Sequence, residues 1–407
     1  MRRTALIGLI TLGAVCRLVL MPITMQADTR FVGDLVAMHV DARQFVQAQG
    51  AVDVALYPPL AYGTLYAYQR LLAPILPNLD QLQKDGTQAQ RAWYSDPHRF
   101  QKLFWLKLWL LPFDLASGVL LAGLLRDHRQ QIWALALWCL NPIMIYTTAV
   151  HGQFDAVPIF FTVLALWSAR RQRYRWAAAA LGLGAAFKLY PLLFVLPLAI
   201  SVPTRHLRGQ VLFIALMIVL LPYAGQLDHY RVAHSYYRFG LAGVVELTQG
   251  QAYYLFGVAY SVLCFALWEH QRGRDAPWAW LWVLVAFYVQ ATFDLHYLAW
   301  VMPFAVWMAV RVPASRGAWA LVLVASIALT TRDLPFGYLL VLDYETYRAL
   351  PTASAWIGRV VPLALFNRAV HSLLIGGLLW VAYSGWHDRA NWSLPLDAST
   401  TGAESTD

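Results

Sequence analysis

His151, Gln153 and Asp155 stand together in the run His151-Gly152-Gln153-Phe154-Asp155, where one long apolar stretch ends and the next begins. An imidazole, an amide and a carboxylate therefore gather at a membrane boundary, where ionisable groups are costly and serve a pathway, a ligand or a reaction. Asp34 follows the first apolar segment, Lys188 lies at a break between two short ones, and Asp294 and His296 open a later one. Four helix ends thus converge on one face. Carboxylates with a lysine and a histidine beside a shallow apolar pocket suit a reaction in which a hydroxyl loses its proton while a phosphate departs. A carboxylate takes the proton, and cations hold the charge growing on the leaving phosphate.

The elements that position these groups are membrane helices. Hydrophobic residues make up 59% of the 407 positions and charged residues only 13%, with a mean hydropathy of +0.49, which describes a polytopic membrane protein. The net charge of +9 would suit nucleic acid, but the arginines fall in short loops between apolar runs, so they read as an orientation signal and nucleic acid is not an expected partner. Cys16, Cys139 and Cys264 sit inside apolar segments without metal or disulfide spacing and read as small core residues.

Hydropathy places helices at about Ala5–Met21, Leu103–Leu125, Ile132–Val150, Phe154–Ser168, Trp176–Phe187, Leu189–Val202, Val211–Ala224, Tyr253–Trp268, Trp278–Thr292, Tyr297–Val310, Ala318–Thr330 and Val370–Tyr383. The fold expected is all-α with about twelve transmembrane helices and both termini cytoplasmic, since the loops holding Arg126 and Arg129, Arg170 to Arg175, Arg205 and Arg208, Arg272 and Arg274, and Arg311 and Arg316 then share the cytoplasmic side. That parity requires the chain to turn at Lys188-Leu189-Tyr190-Pro191. Each half then falls below the roughly 20 residues of a full span, and half-depth helices imply a cavity lined by protein or water.

Residues 1–387 form one transmembrane domain on this reading, and 388–407 a polar disordered tail. The first external loop, 24–102, is too long for a plain connector. It carries Gly33-Asp34, a surface helix at Val36–Ala48, and Tyr57-Pro58-Pro59 opening a helix at Leu60–Leu76 that lies on the outer leaflet. Other external pieces are Gln226–Gln251, with Arg238, and Arg332–Asn367. The preference for Arg over Lys and the compact loops point to a bacterial plasma membrane.

Phe31-Val32-Gly33-Asp34, Tyr57-Pro58-Pro59-Leu60, Leu137-Trp138-Cys139-Leu140-Asn141-Pro142, His151-Gly152-Gln153-Phe154-Asp155, Ala186-Phe187-Lys188-Leu189-Tyr190-Pro191 and Asp294-Leu295-His296-Tyr297-Leu298 occur in that order. Together they resemble the multi-spanning GT-C glycosyltransferases, and in spacing are similar to the endoplasmic-reticulum glucosyltransferases that use dolichyl-phosphate-glucose and to bacterial relatives that use polyprenyl-phosphate sugars. The resemblance covers about Ala5 to Pro303. It implies an inverting glycosyltransferase that moves one hexose or pentose from a polyprenyl-phosphate donor to a lipid-linked or glycan acceptor on the non-cytoplasmic face. Asp34 would be the general base, Lys188 and His296 would contact the donor's phosphate, and His151, Gln153 and Asp155 would have a donor-sugar or structural role, in a donor-sugar or acceptor pocket shared with Tyr57, Tyr190 and Asp294. Arg238 and Arg332 would add phosphate or acceptor contacts. Asp34 has no acidic neighbour of the kind seen in protein-mannosylating members, so the resemblance implies metal-independent chemistry and no cofactor.

Each position has a structural reading beside the chemical one. Asp34 fits the N-cap of a helix starting at Leu35, Lys188 fits a lysine snorkelling beside Tyr190, and His296 fits an interfacial histidine. Asp155 fits a cap of the fourth helix or a partner of His151, and Tyr57-Pro58-Pro59 a rigid turn. The alternative from another class is a transporter or flippase of a lipid-linked or anionic substrate. Such proteins carry broken helices in both halves, and the second half shows no copy of the Lys188 break.

Overall fold

The computed structural model describes residues 2–24, 58–75, 95–223, 244–246, 252–270, 276–288, 295–331 and 353–387. In chain order the helices are α1 (Arg2–Ile23), α2 (Pro59–Leu72), α3 (Arg99–Leu108), α4 (Leu111–Gly123), α5 (His128–Cys139), α6 (Pro142–Ile145), α7 (Ala156–Arg170), α8 (Tyr174–Ala185) and α9 (Val195–Ser201). They continue as α10 (Arg205–Leu220), α11 (Leu255–His270), α12 (Ala276–Tyr288), α13 (Leu295–Leu298), α14 (Met302–Arg311), α15 (Arg316–Thr331), α16 (Ala353–Ile357) and α17 (Leu363–His387). Each of the twelve apolar segments contains helix in its described part, but residues 109–110, 140–141 and 299–301 interrupt three of them, and Tyr253 and Tyr254, expected to begin a helix, lie in a strand. One departure from the all-α expectation is a two-stranded antiparallel ribbon, β1 (Val244–Glu246) with β2 (Ala252–Tyr254), paired Val244 to Tyr254.

Length separates these helices into two kinds. Among the described residues, Thr4–Ile23, Arg99–Gly123 and Leu363–Gly385 are long and apolar enough to cross a membrane, and α5 with the segment Pro142–His151 makes a fourth candidate bent by 43°. The remaining apolar helices are short, among them Ala156–Arg170 and Trp278–Tyr288. The protein is thus an integral membrane helical bundle whose interior is built largely from short or broken helices.

Side-chain size explains the packing order. α8 is rich in Ala and Gly, and α7 and α10 pack on its two sides. A Cβ on Gly182 would stand 2.9 Å from the Ala215 carbonyl oxygen, and one on Gly184 would stand 3.1 Å from Phe161 Cβ. Where lipid tails are as apolar as leucine, close backbone approach is what holds helices together. The complementary faces of α1, α10, α11 and α15 expose Ile7, Phe213, Phe265 and Val324, as lipid-facing surfaces do. At one end of the bundle Arg175 Nε donates to Gln210 Oε1 at 2.8 Å, and the Arg208 guanidinium lies 5.1 Å from the Trp268 ring centre. The loop holding Arg170 to Arg175, the one holding Arg205 and Arg208, and the last turn of α11 therefore share an end.

Two buried polar clusters fasten the N-terminal half. Arg17 Nε donates to Asp114 Oδ2 at 2.6 Å, while its Nη1 donates to the carbonyls of Gly13 and Cys139. The Trp138 indole donates to Asp114 Oδ1 at 2.9 Å and to its carbonyl at 2.8 Å. One ion pair thus ties α1, α4 and α5. Lys107 is also fully buried, and its ammonium is ringed at 2.5 to 3.1 Å by the carbonyls of Met21, Thr24 and Ala149 and by the Thr24 hydroxyl. Outside the membrane-spanning part, burial pushes the Asp96 carboxyl up, but hydrogen bonds from Lys102 at 2.7 Å and from the His98 amide outweigh it and hold Asp96 below its ordinary value.

Gly118 shows how tightly the first cluster is built: a Cβ there would meet Trp138 Cδ1 at 2.5 Å. Gly118→Ala must displace the indole from Asp114, and overpacking of this kind costs about 1–3 kcal/mol. Thermal unfolding in detergent should show a lower midpoint for Gly118→Ala, whereas Gly209→Ala, whose Cβ meets nothing within 4 Å, should keep or raise the midpoint, since alanine favours a helix over glycine.

Candidate active site

The site forms where three helices are interrupted. After α6 the chain winds into a π-helical turn, Tyr146–His151, ended by Gly152 at φ 71°. Only a residue without a Cβ adopts that left-handed conformation at little cost. The Gly152 and Gln153 amides both donate to the Thr147 carbonyl, which closes the turn. Single π turns inside α-helices are frequent at functional sites. The turn ends on His151 and is capped on its outer side by the Lys107 cage, because Lys107 takes the Ala149 carbonyl at 2.9 Å. Lys107 thereby joins the end of α1, from which the long first loop departs, to the turn that carries His151.

The second interruption is the one the basic loops required. α8 ends at Ala185, and the chain resumes as a 3-10 turn at Tyr190–Phe194, leaving Lys188 between them. Phe187 and Lys188 both donate their amides to the Gly184 carbonyl. The third separates α13 from α14: the amides of Ala299, Trp300, Val301 and Met302 each donate three residues back. Backbone groups are satisfied at each break, as burial demands.

These breaks bring the polar side chains together. Lys188 Nζ lies 2.8 Å from Asp155 Oδ1 and 3.1 Å from Oδ2, and both side chains are buried. The Trp300 indole donates to Asp155 Oδ1 at 2.6 Å. Lys188 Nζ stands 5.1 Å from the ring centres of both Tyr297 and Trp300, within reach of cation–π attraction. Tyr190 stacks on Trp300 at 4.1 Å with planes only 7° apart. The imidazoles of His151 and His296 meet edge to face at 4.9 Å, and Tyr146 and Tyr297 flank them at 5.6 and 4.1 Å. Gln153 is buried and accepts from the Phe154 amide at 3.2 Å.

His151, Asp155, Lys188, Tyr190 and His296 are therefore one cluster, joined through Tyr297 and Trp300, and Gln153, between His151 and Asp155 in the chain, is buried. Asp155 departs from its expected structural roles: its side chain makes no cap bond on α7, and its ionic partner is Lys188, 33 positions away. A shared pocket explains this, because an uncompensated carboxylate at depth would cost more than a cap returns. Asp34, Tyr57, Arg238, Asp294 and Arg332, together with the helix expected at Val36–Ala48 and the tail from 388, lie outside the described residues. α2, which begins right after Tyr57-Pro58, packs Ala61 and Leu65 with Leu110, Phe154 and Phe187, next to Gln153 and Lys188.

The sequence reading missed Trp300, Lys107 and the Arg17–Asp114 pair. The last two carried a usable signal, an ionisable residue inside an apolar run. Trp300 carried none, being one of 18 tryptophans.

The bundle of short and broken helices brings into one buried cluster the motifs whose order resembles the GT-C superfamily of membrane glycosyltransferases. The profile of glycosyltransferase family 87 matches residues 97–331, more than half of the chain, and the protein belongs to that family. The matched stretch contains the whole buried cluster and leaves out Asp34, Tyr57 and Arg332. The chain is also similar to GPI mannosyltransferase 1 of Kluyveromyces lactis, 34% identical over 97 residues, 23% of this chain and 24% of that protein. It is 30% identical to GPI mannosyltransferase 1 of Saccharomyces cerevisiae over 115 residues, 27% of this chain and 28% of that one. The GPI alpha-1,4-mannosyltransferase I catalytic subunit of Danio rerio is 27% identical over 118 residues, 28% and 30% of the two chains. The chain spans 24% to 30% of the length of these curated relatives. They are named for mannose, whereas the motif order pointed to glucosyltransferases.

Removing one partner of a buried pair leaves an uncompensated charge and costs about 3–5 kcal/mol. Lys188→Met and Asp155→Asn should each lower the unfolding midpoint strongly, and the double variant should unfold near the unaltered protein. If the double variant instead shows the sum of the two losses, the pair is not an energetic unit.

Proposed function

We propose that this glycosyltransferase moves a single sugar, mannose in the first instance, from a polyprenyl-phosphate carrier to a lipid-linked or glycan acceptor on the non-cytoplasmic side. The observation that carries the reading is the convergence of three interrupted helices on Lys188, His296, His151 and Asp155. Irregular backbone at membrane depth is tolerated only where it is buried in protein or lines a cavity, and these breaks gather a lysine and two imidazoles, groups suited to a phosphate. Names of relatives that align over part of the chain favour mannose among hexoses and pentoses. Family membership favours transfer over the transport alternative.

In this mechanism Asp34 accepts the proton of the acceptor hydroxyl. The oxygen attacks the anomeric carbon from the side opposite the phosphate, the C–O bond to phosphate breaks, and its electron pair leaves with the lipid phosphate, inverting the sugar's configuration. Lys188 and His296 hold the departing phosphate. Asp155 and Trp300 keep the lysine in place, so their part is positioning. Tyr57, Asp294, Arg238 and Arg332 contribute to the sugar or acceptor pocket, and no metal takes part. A twelve-span topology with both termini cytoplasmic places the basic loops inside and the cluster outside; the shared end of the loops holding Arg175 and Arg208 supports it.

Membranes supplied with radiolabelled polyprenyl-phosphate mannose, glucose, galactose or arabinose should transfer sugar to endogenous glycolipid, with mannose the best donor. Asp34→Asn should reduce transfer by at least a thousandfold at equal expression while retaining donor binding. Undiminished transfer by Asp34→Asn would remove that carboxylate from the reaction, and transfer from no donor would overturn the reading.

A further inference from the structure

Away from the cluster, a groove of about 980 Å³ runs between α5, α14 and α15. Its walls are apolar, including Trp133, Leu137, Val306 and Leu323, and Trp133 and Leu137 are exposed despite their size. One mouth is charged by Arg129 and Arg316. Asp127, also at this mouth, has Oδ2 engaged by the Gln130 amide as the N-cap of α5. The Arg316 Nε donates to the Ala309 carbonyl, which holds its guanidinium at the rim. The opposite end closes at Asn141 and Met302, where Asn141 Nδ2 approaches Met302 Sδ at 3.3 Å.

The dimensions identify the occupant. α5 has 12 residues and rises about 18 Å along the groove, against roughly 15 Å for half of a bilayer's hydrocarbon core. The groove is therefore long enough for a single leaflet, and on the topology proposed above, on which this inference rests, its cations lie on the cytoplasmic side. Basic pockets between membrane helices on the cytoplasmic side select anionic head groups. A donor whose phosphate sits at Lys188 would bring its charge to the other end of the bundle.

We infer that this groove binds an anionic glycerophospholipid of the inner leaflet, its phosphate between Arg129 and Arg316 and an acyl chain along Trp133 and Leu137. The chain ends against Met302, two residues from Trp300, so an occupied groove braces the α13–α14 break that carries His296. The site is separate from the one proposed for the sugar donor.

Protein reconstituted in nanodiscs of phosphatidylcholine with phosphatidylglycerol, then released into mild detergent, is measured by native mass spectrometry for retained lipid. The unaltered protein should retain phosphatidylglycerol with at least a tenfold preference. Arg129→Gln with Arg316→Gln should abolish the preference at unchanged circular dichroism. Ala309→Trp, which fills the groove and keeps its charges, should abolish retention. Retention without head-group preference, or a preference that survives the double variant, would overturn the inference. So would added polyprenyl phosphate that displaces phosphatidylglycerol from the unaltered protein, since the groove would then belong to the donor's tail.

Discussion

The Asp155–Lys188 pair, buried at 2.8 Å with the Trp300 indole on the same carboxylate oxygen, connects residues from three separate interruptions in the helical ladder. Asp155 follows the π turn, Lys188 stands between two short helices, and Trp300 lies between α13 and α14. A lysine in this environment without its carboxylate, or a carboxylate without its lysine, would leave a charge in apolar surroundings. The breaks are therefore held in mutual register by electrostatics. What they gain in return is a place in the bilayer where His151 and His296 face each other at 4.9 Å, a contact that continuous helices would not present.

The other polar clusters serve this arrangement from a distance. A π turn and a helix end leave carbonyls without intrahelical donors, and Lys107 gathers those of Met21, Thr24 and Ala149 into one cage. That cage fixes where the first loop leaves the membrane relative to His151. Arg17 and Asp114 perform the same service one layer deeper, with Trp138 as the third member. In water each such group would be a surface residue; in a bilayer each must find its partner inside the protein. The short helices around the site can thus persist because each of its three interruptions has a polar partner in Lys107, Asp155 or Trp300.

Much of this was legible in the residues. Apolar runs and arginine-rich loops marked the helices and required the turn at Lys188, since hydropathy and charge placement follow directly from the solvent. The cluster of His151, Asp155, Lys188 and His296 was legible because ionisable groups at helix ends are rare in membranes. Two features were hidden. The partner of Asp155 depends on long-range packing, and local spacing favoured a helix cap or His151. The π turn depends on a one-residue change in winding, and the run Ile132–Val150 reads as uninterrupted helix by hydropathy alone. Trp300 was hidden for the same reason as the pairing, since nothing in an aromatic residue's type distinguishes a hydrogen-bond donor to a buried carboxylate from a lipid-facing ring.

The central claim, that the broken-helix cluster is a phosphate site for the donor, is tested most directly by equilibrium binding of a polyprenyl phosphate without sugar to the purified protein in nanodiscs. Lys188→Gln paired with Asp155→Asn, to keep the site neutral, and His296→Gln should each weaken binding by tenfold or more, while Asp34→Asn should bind as the unaltered protein does. Equal binding by all of these variants would contradict the account, because the cluster would then be a structural fastening and the donor would be held elsewhere.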